Sequence, residues 1–267
     1  MTNKNSIIIT HAQQQKIDKL ISKYKDHIND ETLWTWVVAN ILQKEISKNS
    51  TLIEYIIGKK INVNDLNIGF EVQPLSTRKG VRGNTEGNTH LDLAIGHFIR
   101  RGGRDSGGIK FNHVDNSMVC FIEAKMYSDL STGTTHDKLR NQMTRVIENL
   151  LCFQNEAGKF PDDICFTLLT PRAFKLNPKS RLYGYKYFDY LKDLSINGSL
   201  IEYDINQLDI PKRYESNWKY PIIASRLKKL RLNWVTYEDI FEYHIKNTFN
   251  MVDDFKKKNL EKYNILF

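Results

Sequence analysis

Three consecutive segments limit what this chain can fold into more than anything else in it. "VCFIEAKM", Val119 to Met126, is an apolar run of strand length. "TTHDKLRNQMTRVIENLLCF", Thr134 to Phe153, repeats apolar residues at helical spacing. Its expected buried stripe is Leu139, Met143, Val146 and Leu150, with Thr134 or Thr135 as cap. "DICFTLLTP", closed by Pro171, is again short, apolar and strand-like. Strand, helix and strand in that order imply a crossover between parallel strands of one sheet. Parallel strands need helices over their faces. The expected class is therefore α/β, a mixed central β-sheet flanked by helices.

The rest of the chain fits around that unit. Residues 11–28 and 31–48 read as helices, the second carrying Leu33, Val37, Ile41, Leu42 and Ile46 at helical spacing. Trp34 and Trp36 lie beside that stripe and read as packing residues. A third helix is expected at 50–58, with Ser50 or Thr51 as cap and Gly58 as stop. From 68 to 126 the pattern turns to strands: "IGFEVQPL", "THLDLAIGHFI", "GIKFNHV" and "SMVCFIEAKM". Eight of the fourteen glycines fall between 80 and 108, which marks the turns of this segment. "NWVTYEDIFEYHI" reads as a strand and then a helix capped by Thr236. One domain over 1–267 is expected, with a core at about 35–170 and a C-terminal extension at about 172–267.

Cys120, Cys152 and Cys165 stand singly in apolar stretches, which argues against a zinc site or a disulfide framework. No apolar stretch approaches bilayer-spanning length, so a soluble cytoplasmic protein with no membrane partner is expected. Neither a GxGxxG nor a Walker-type loop is present, which argues against a nucleotide cofactor. The formal net charge of +8 suggests a polyanionic partner, and nucleic acid, an anionic membrane surface and simple solubility all fit it.

Chemistry concentrates at the end of the first strand of the crossover. Glu123 and Lys125 are one residue apart, so strand alternation puts both on one face. Asp92, in "HLDLAIG", sits in another apolar strand. Two carboxylates suit Mg²⁺, a hard cation that takes oxygen ligands and keeps several waters. Such an ion polarises a phosphate and lowers the pKa of bound water, while a neighbouring ammonium offsets developing negative charge. The competing reading is an ordinary solvated ion pair at a strand end, worth little.

Asp92 in "HLDLAIG", followed about thirty residues later by "FIEAK", resembles the PD-(D/E)XK nuclease superfamily. The resemblance implies a restriction-endonuclease-like core with N-terminal helices and C-terminal embellishments. It implies that Asp92 and Glu123 bind Mg²⁺ or Mn²⁺ and that Lys125 is the catalytic lysine. It also implies a role for Gln142 on the following helix, orienting the lysine or the backbone. Members often add an early acidic residue, for which Glu71 is the first candidate and Glu45 and Glu54 follow. Leu91 stands where many members have Pro, and Val146 where some have Tyr. The implied activity is Mg²⁺-dependent endonucleolytic cleavage of double-stranded DNA, as in a restriction or anti-phage defence enzyme acting as a homodimer. The alternatives are an inactive DNA-binding module of the same fold and an exonuclease or RNA-directed nuclease.

Two basic loops flank these strands. Arg78, Lys79 and Arg82 precede the Asp92 strand, and Arg100, Arg101 and Arg104 follow it. Loops like these hold a nucleic-acid backbone or are simply solvated turns. The aromatics of "RLYGYKYFDY" read as packing before base stacking, and "SRLKKLR" as a phosphate track or a solvated helix face.

Overall fold

The computed structural model describes residues 7–46, 50–61, 64–78, 89–103, 106–134, 137–208, 210–215, 217–243 and 257. The chain opens with β1 (Ile7–Ile8), α1 (His11–Ser22), α2 (Glu31–Ile46) and α3 (Thr51–Ile57). Then follow β2 (Asn67–Val72), β3 (Leu91–Gly96), β4 (Phe98–Arg100), β5 (Ile109–Phe111) and β6 (Met118–Ala124). A hairpin of β7 (Thr132–Thr134) and β8 (Asp137–Asn141) leads into α4 (Gln142–Leu151) and β9 (Asp163–Thr170). The remainder is α5 (Arg172–Leu176), α6 (Leu182–Leu194), α7 (Ser199–Asn206), α8 (Ile223–Leu227), β10 (Leu230–Thr236) and α9 (Tyr237–Tyr243).

Six strands form the central sheet in the order β1-β2-β3-β6-β9-β10. β2, β3 and β6 pair antiparallel, while β6–β9 and β9–β10 pair parallel, so the sheet is mixed and the α4 crossover is present. Alternation along β6 sends Cys120, Ile122 and Ala124 into one core with α1, α2, α3 and α9. Val119 and Phe121 enter the other core, with α4, α6, α7 and α8. The molecule is thus an α/β sheet covered on both faces, as the crossover demands. β10 completes the sheet, so the segment after 172 supplies part of the core as well as peripheral helices.

The expected long helix over 134–153 is corrected. Gly133 disfavours helix and threonine favours extended backbone, and Thr132–Thr134 pairs antiparallel with Asp137–Asn141 as β7 and β8. The helix starts only at Gln142, where the apolar stripe becomes continuous. Its cap is Asn141, whose side chain accepts a hydrogen bond from the Thr144 amide at 3.0 Å. Thr134 is in β7, and Thr135 lies outside the described residues. Met143, Val146 and Leu150 are buried as expected, but Leu139 is 72% exposed. Elsewhere the punctuation holds: Gly58 stops α3 in a left-handed conformation (φ 70°), and Thr236 accepts from the Asp239 amide at the start of α9.

Candidate active site

Antiparallel pairing of β3 with β6 builds the site. The register sets Leu93 opposite Ile122, and continuing it by one residue sets Asp92 opposite Glu123. Close approach of the strands needs Gly96 at the far end (φ 143°), where an added Cβ would lie 2.4 Å from the Met118 carbonyl. The Asp92 carboxylate (Oδ2) accepts from the Ala124 amide at 2.7 Å, which pins it to the end of β6. Lys125 follows immediately, and its Nζ lies 2.6 Å from Glu123 Oε1.

A solvated ion pair is excluded, because Glu123 is fully buried and Lys125 is 4% exposed. Glu123 Oε1 meets the ammonium as an ion pair without hydrogen-bond geometry, and Oε2 has no hydrogen-bond partner. Burial, and then the charge of Glu123, raise the Asp92 pKa well above the usual carboxylate range against the pull of Lys125. Burial likewise raises Glu123, again against Lys125. Burial alone would lower Lys125, but Glu123, Asp92 and Glu31 outweigh it and keep the ammonium charged. Carboxyl groups therefore outnumber the ammonium here, and burial works against their ionisation. Apolar side chains of similar volume would serve stability at least as well, so the arrangement is suited to holding something.

Glu31, the first residue of α2, is the acidic group that the structure adds. Its Oε2 accepts from the Met126 amide at 2.8 Å and from the Ser128 hydroxyl at 3.0 Å, and Oε1 lies 3.7 Å from Lys125 Nζ. Sequence reasoning missed it because an acidic residue in a first helical turn ordinarily complements the helix dipole. Glu71 takes another position. Its left-handed backbone (φ 47°) breaks the alternation of β2, and its carboxylate meets Lys16 of α1 at 3.3 Å. Glu54 accepts from the Ile61 amide at the end of α3, and Glu45 lies near the C-terminal end of α2.

Gln142 stands at the first position of α4, where its side chain accepts from Ser131 at 3.2 Å. The group on that helix whose charge bears on Glu123 is Arg145, one turn further on. Tyr237, fully buried at the start of α9, sits close enough for Glu31 and Asp92 to raise its pKa further than burial alone does.

The basic-loop expectations are corrected where they can be read. Arg78 is 4% exposed and not available to a phosphate. It meets Glu148 at 2.8 Å and donates to the carbonyls of Ile205 and Ile210. Arg100 donates to the carbonyls of Ser106 and Ile9, tying the hairpin to the N-terminal segment. Arg101 turns into a pocket away from these groups. Lys79, Arg82 and Arg104 lie outside the described residues. In "RLYGYKYFDY", Tyr183, Tyr187 and Tyr190 are buried on α6 while Tyr185 and Phe188 are exposed. In "SRLKKLR", Arg226 is buried against the carbonyls of Leu151 and Pro161.

Among the described residues, no group of three or more His, Cys, Asp or Glu side chains is gathered to hold a metal by itself. Asp92 and Glu123 nonetheless fit a Mg²⁺ ion, which usually takes only one or two protein carboxylates. Glu123 presents an unpartnered oxygen, and its charge raises the proton affinity of Asp92, a repulsion that a bound cation would relieve. No helix among the described residues is long and apolar enough to cross a membrane. Comparison with protein families, with curated proteins and with solved structures found no match to this chain.

Proposed function

We propose that this chain is a Mg²⁺-dependent endonuclease that hydrolyses DNA phosphodiester bonds, built on a restriction-endonuclease-like core. The observation that carries this reading is the convergence of a partly buried Asp92 with buried Glu123 and Lys125 at adjacent ends of β3 and β6. Asp92 and Glu123 would hold the ion, which supplies phosphate polarisation and a more acidic bound water. Lys125, kept charged by its carboxylate neighbours, offsets negative charge on the attacking oxygen or on the phosphorane. Glu31 orients Lys125 and fixes the turn after β6 through Met126 and Ser128. The excess of basic residues over the whole chain suits a polyanionic substrate. Cutting both strands with one site per chain calls for two chains, so the active form is a homodimer. The setting that the motif resemblance favours is restriction or anti-phage defence.

The test is incubation of purified protein with supercoiled plasmid in Mg²⁺, Mn²⁺ or EDTA, beside Asp92→Asn and Glu123→Gln. Metal-dependent nicking or linearisation by the wild type alone is expected. Intact plasmid in every metal, with DNA still retained in a gel-shift assay, would replace the endonuclease with a DNA-binding module.

A further inference from the structure

A second candidate site lies in the other core, where β4 and β5 meet the turn after α4 and residues 215, 217 and 218. It is a pocket of about 200 Å³ with apolar walls from Leu75, Ile109, Phe153 and Trp218. That is roughly six waters at about 30 Å³ each, enough for one or two rings and too small for a dinucleotide. Lys110 and Glu156 line it and are paired at 2.6 Å, while Glu215 is held by Arg213 at 2.5 Å. Arg101 lines it too, and among the described residues no carboxylate bears on its guanidinium. Its Nε is buried with no hydrogen-bond partner among the described residues. Burial and the neighbouring charge of Arg213 both disfavour the Arg101 cation as it stands. The pocket thus joins flat apolar walls to one guanidinium that has no carboxylate partner among the described residues. Planar guanidinium forks match carboxylates, and indole rings stack on other rings.

We propose that this pocket binds a planar aromatic carboxylate of one or two rings, held by Arg101 and stacked beside Trp218. The proposal is independent of the nuclease reading. For about a dozen non-hydrogen atoms the expected dissociation constant is on the order of 1 mM or tighter. The experiment titrates the full chain with benzoate and indole-3-acetate, and with benzamide and indole-3-acetamide as uncharged counterparts. Binding is read by thermal shift and, for benzoate and benzamide, by tryptophan fluorescence. Both carboxylates are expected to raise Tm, the amides to bind at least about tenfold more weakly, and Arg101→Gln to lose the carboxylates by a similar factor. Glu156, 80% exposed at its side chain, gives a variant with little risk to the fold. Glu156→Gln frees Lys110 and is expected to tighten carboxylate binding. The proposal is overturned if neither carboxylate shifts Tm at about ten times that dissociation constant, if the amides bind as well, or if Glu156→Gln weakens binding.

Discussion

At the scale of the residue, burial and charge repulsion work against ionisation of the carboxylates at the candidate site. Asp92 and Glu123 face each other at adjacent ends of β3 and β6; burial raises the pKa of both, and the charge of Glu123 raises Asp92 further. A carboxylate whose folded pKa is raised contributes most stability below its unfolded pKa and loses that contribution as pH rises through the folded value. Asp92→Asn removes the repulsion, and the amide oxygen still accepts from Ala124. The metal-free variant should therefore be more stable than wild type by at least about 1 kcal/mol at neutral pH. The gap should widen between acid and neutral pH, as urea unfolding at several pH values would read. Mg²⁺ should raise the wild-type Tm and leave Asp92→Asn unchanged. Lys125→Ala behaves in the opposite way. It leaves Glu123 buried without its 2.6 Å partner and should cost about 3 kcal/mol or more. Loss of cutting by that variant alone mixes chemistry with unfolding, whereas Asp92→Asn separates them.

At the scale of the element, the β7–β8 hairpin and α4 show what a one-dimensional pattern can and cannot specify. Met143, Val146 and Leu150 are read correctly because the stripe and the buried face coincide. Leu139 is misread because one more apolar residue at the right spacing looks the same whether or not the backbone has begun to coil. Removing the Asn141 cap by Asn141→Ala should cost about 1 kcal/mol. Leu139→Ala should stay within about 0.5 kcal/mol, and Val146→Ala, in the core, should cost about 2 kcal/mol. Thermal unfolding of the three variants checks the helix start directly, since a helix beginning at Thr135 predicts a large loss for Leu139. The site divides along the same line. Asp92, Glu123 and Lys125 were legible because strand alternation fixes a side chain's face from local sequence. Glu31 was not, because it reaches Met126 across 95 residues through the packing of α2. Arg78 reads as a loop cation until Glu148, 70 residues away, is seen to hold it. The α/β class and the parallel crossover were legible, but the sixth strand's place was not. Nothing local to "LRLNWVT" says that it pairs beside β9 rather than at the opposite edge.

At the scale of the whole molecule, that last strand closes the sheet and is fastened by a buried carboxylate with a pH dependence of its own. β10 passes straight into α9, whose Glu238 is 1% exposed and accepts from the Arg172 amide at 2.8 Å, joining α9 to the start of α5. Beside it, Arg172 pairs with Asp239 at 2.8 Å, and Asp239 also accepts from the Tyr55 hydroxyl at 2.5 Å, which brings in α3. Burial pushes Glu238 up to about 7, opposed by the Arg172 amide and guanidinium. An unfolded glutamate titrates near 4.3, so between roughly pH 4 and 7 the folded chain binds more proton at this position than the unfolded one does. Stability must fall as pH rises through that window, by about 3 kcal/mol if the group acts alone. Glu238→Gln keeps the acceptor for Arg172 and removes the titration. The variant should match wild type near pH 4 and exceed it by an increasing margin up to about pH 7. Above that the two stability curves should run parallel. Denaturant unfolding of both proteins across this range measures the margin. A constant difference between the curves would mean that water reaches Glu238 and that the α5–α9 joint is not closed.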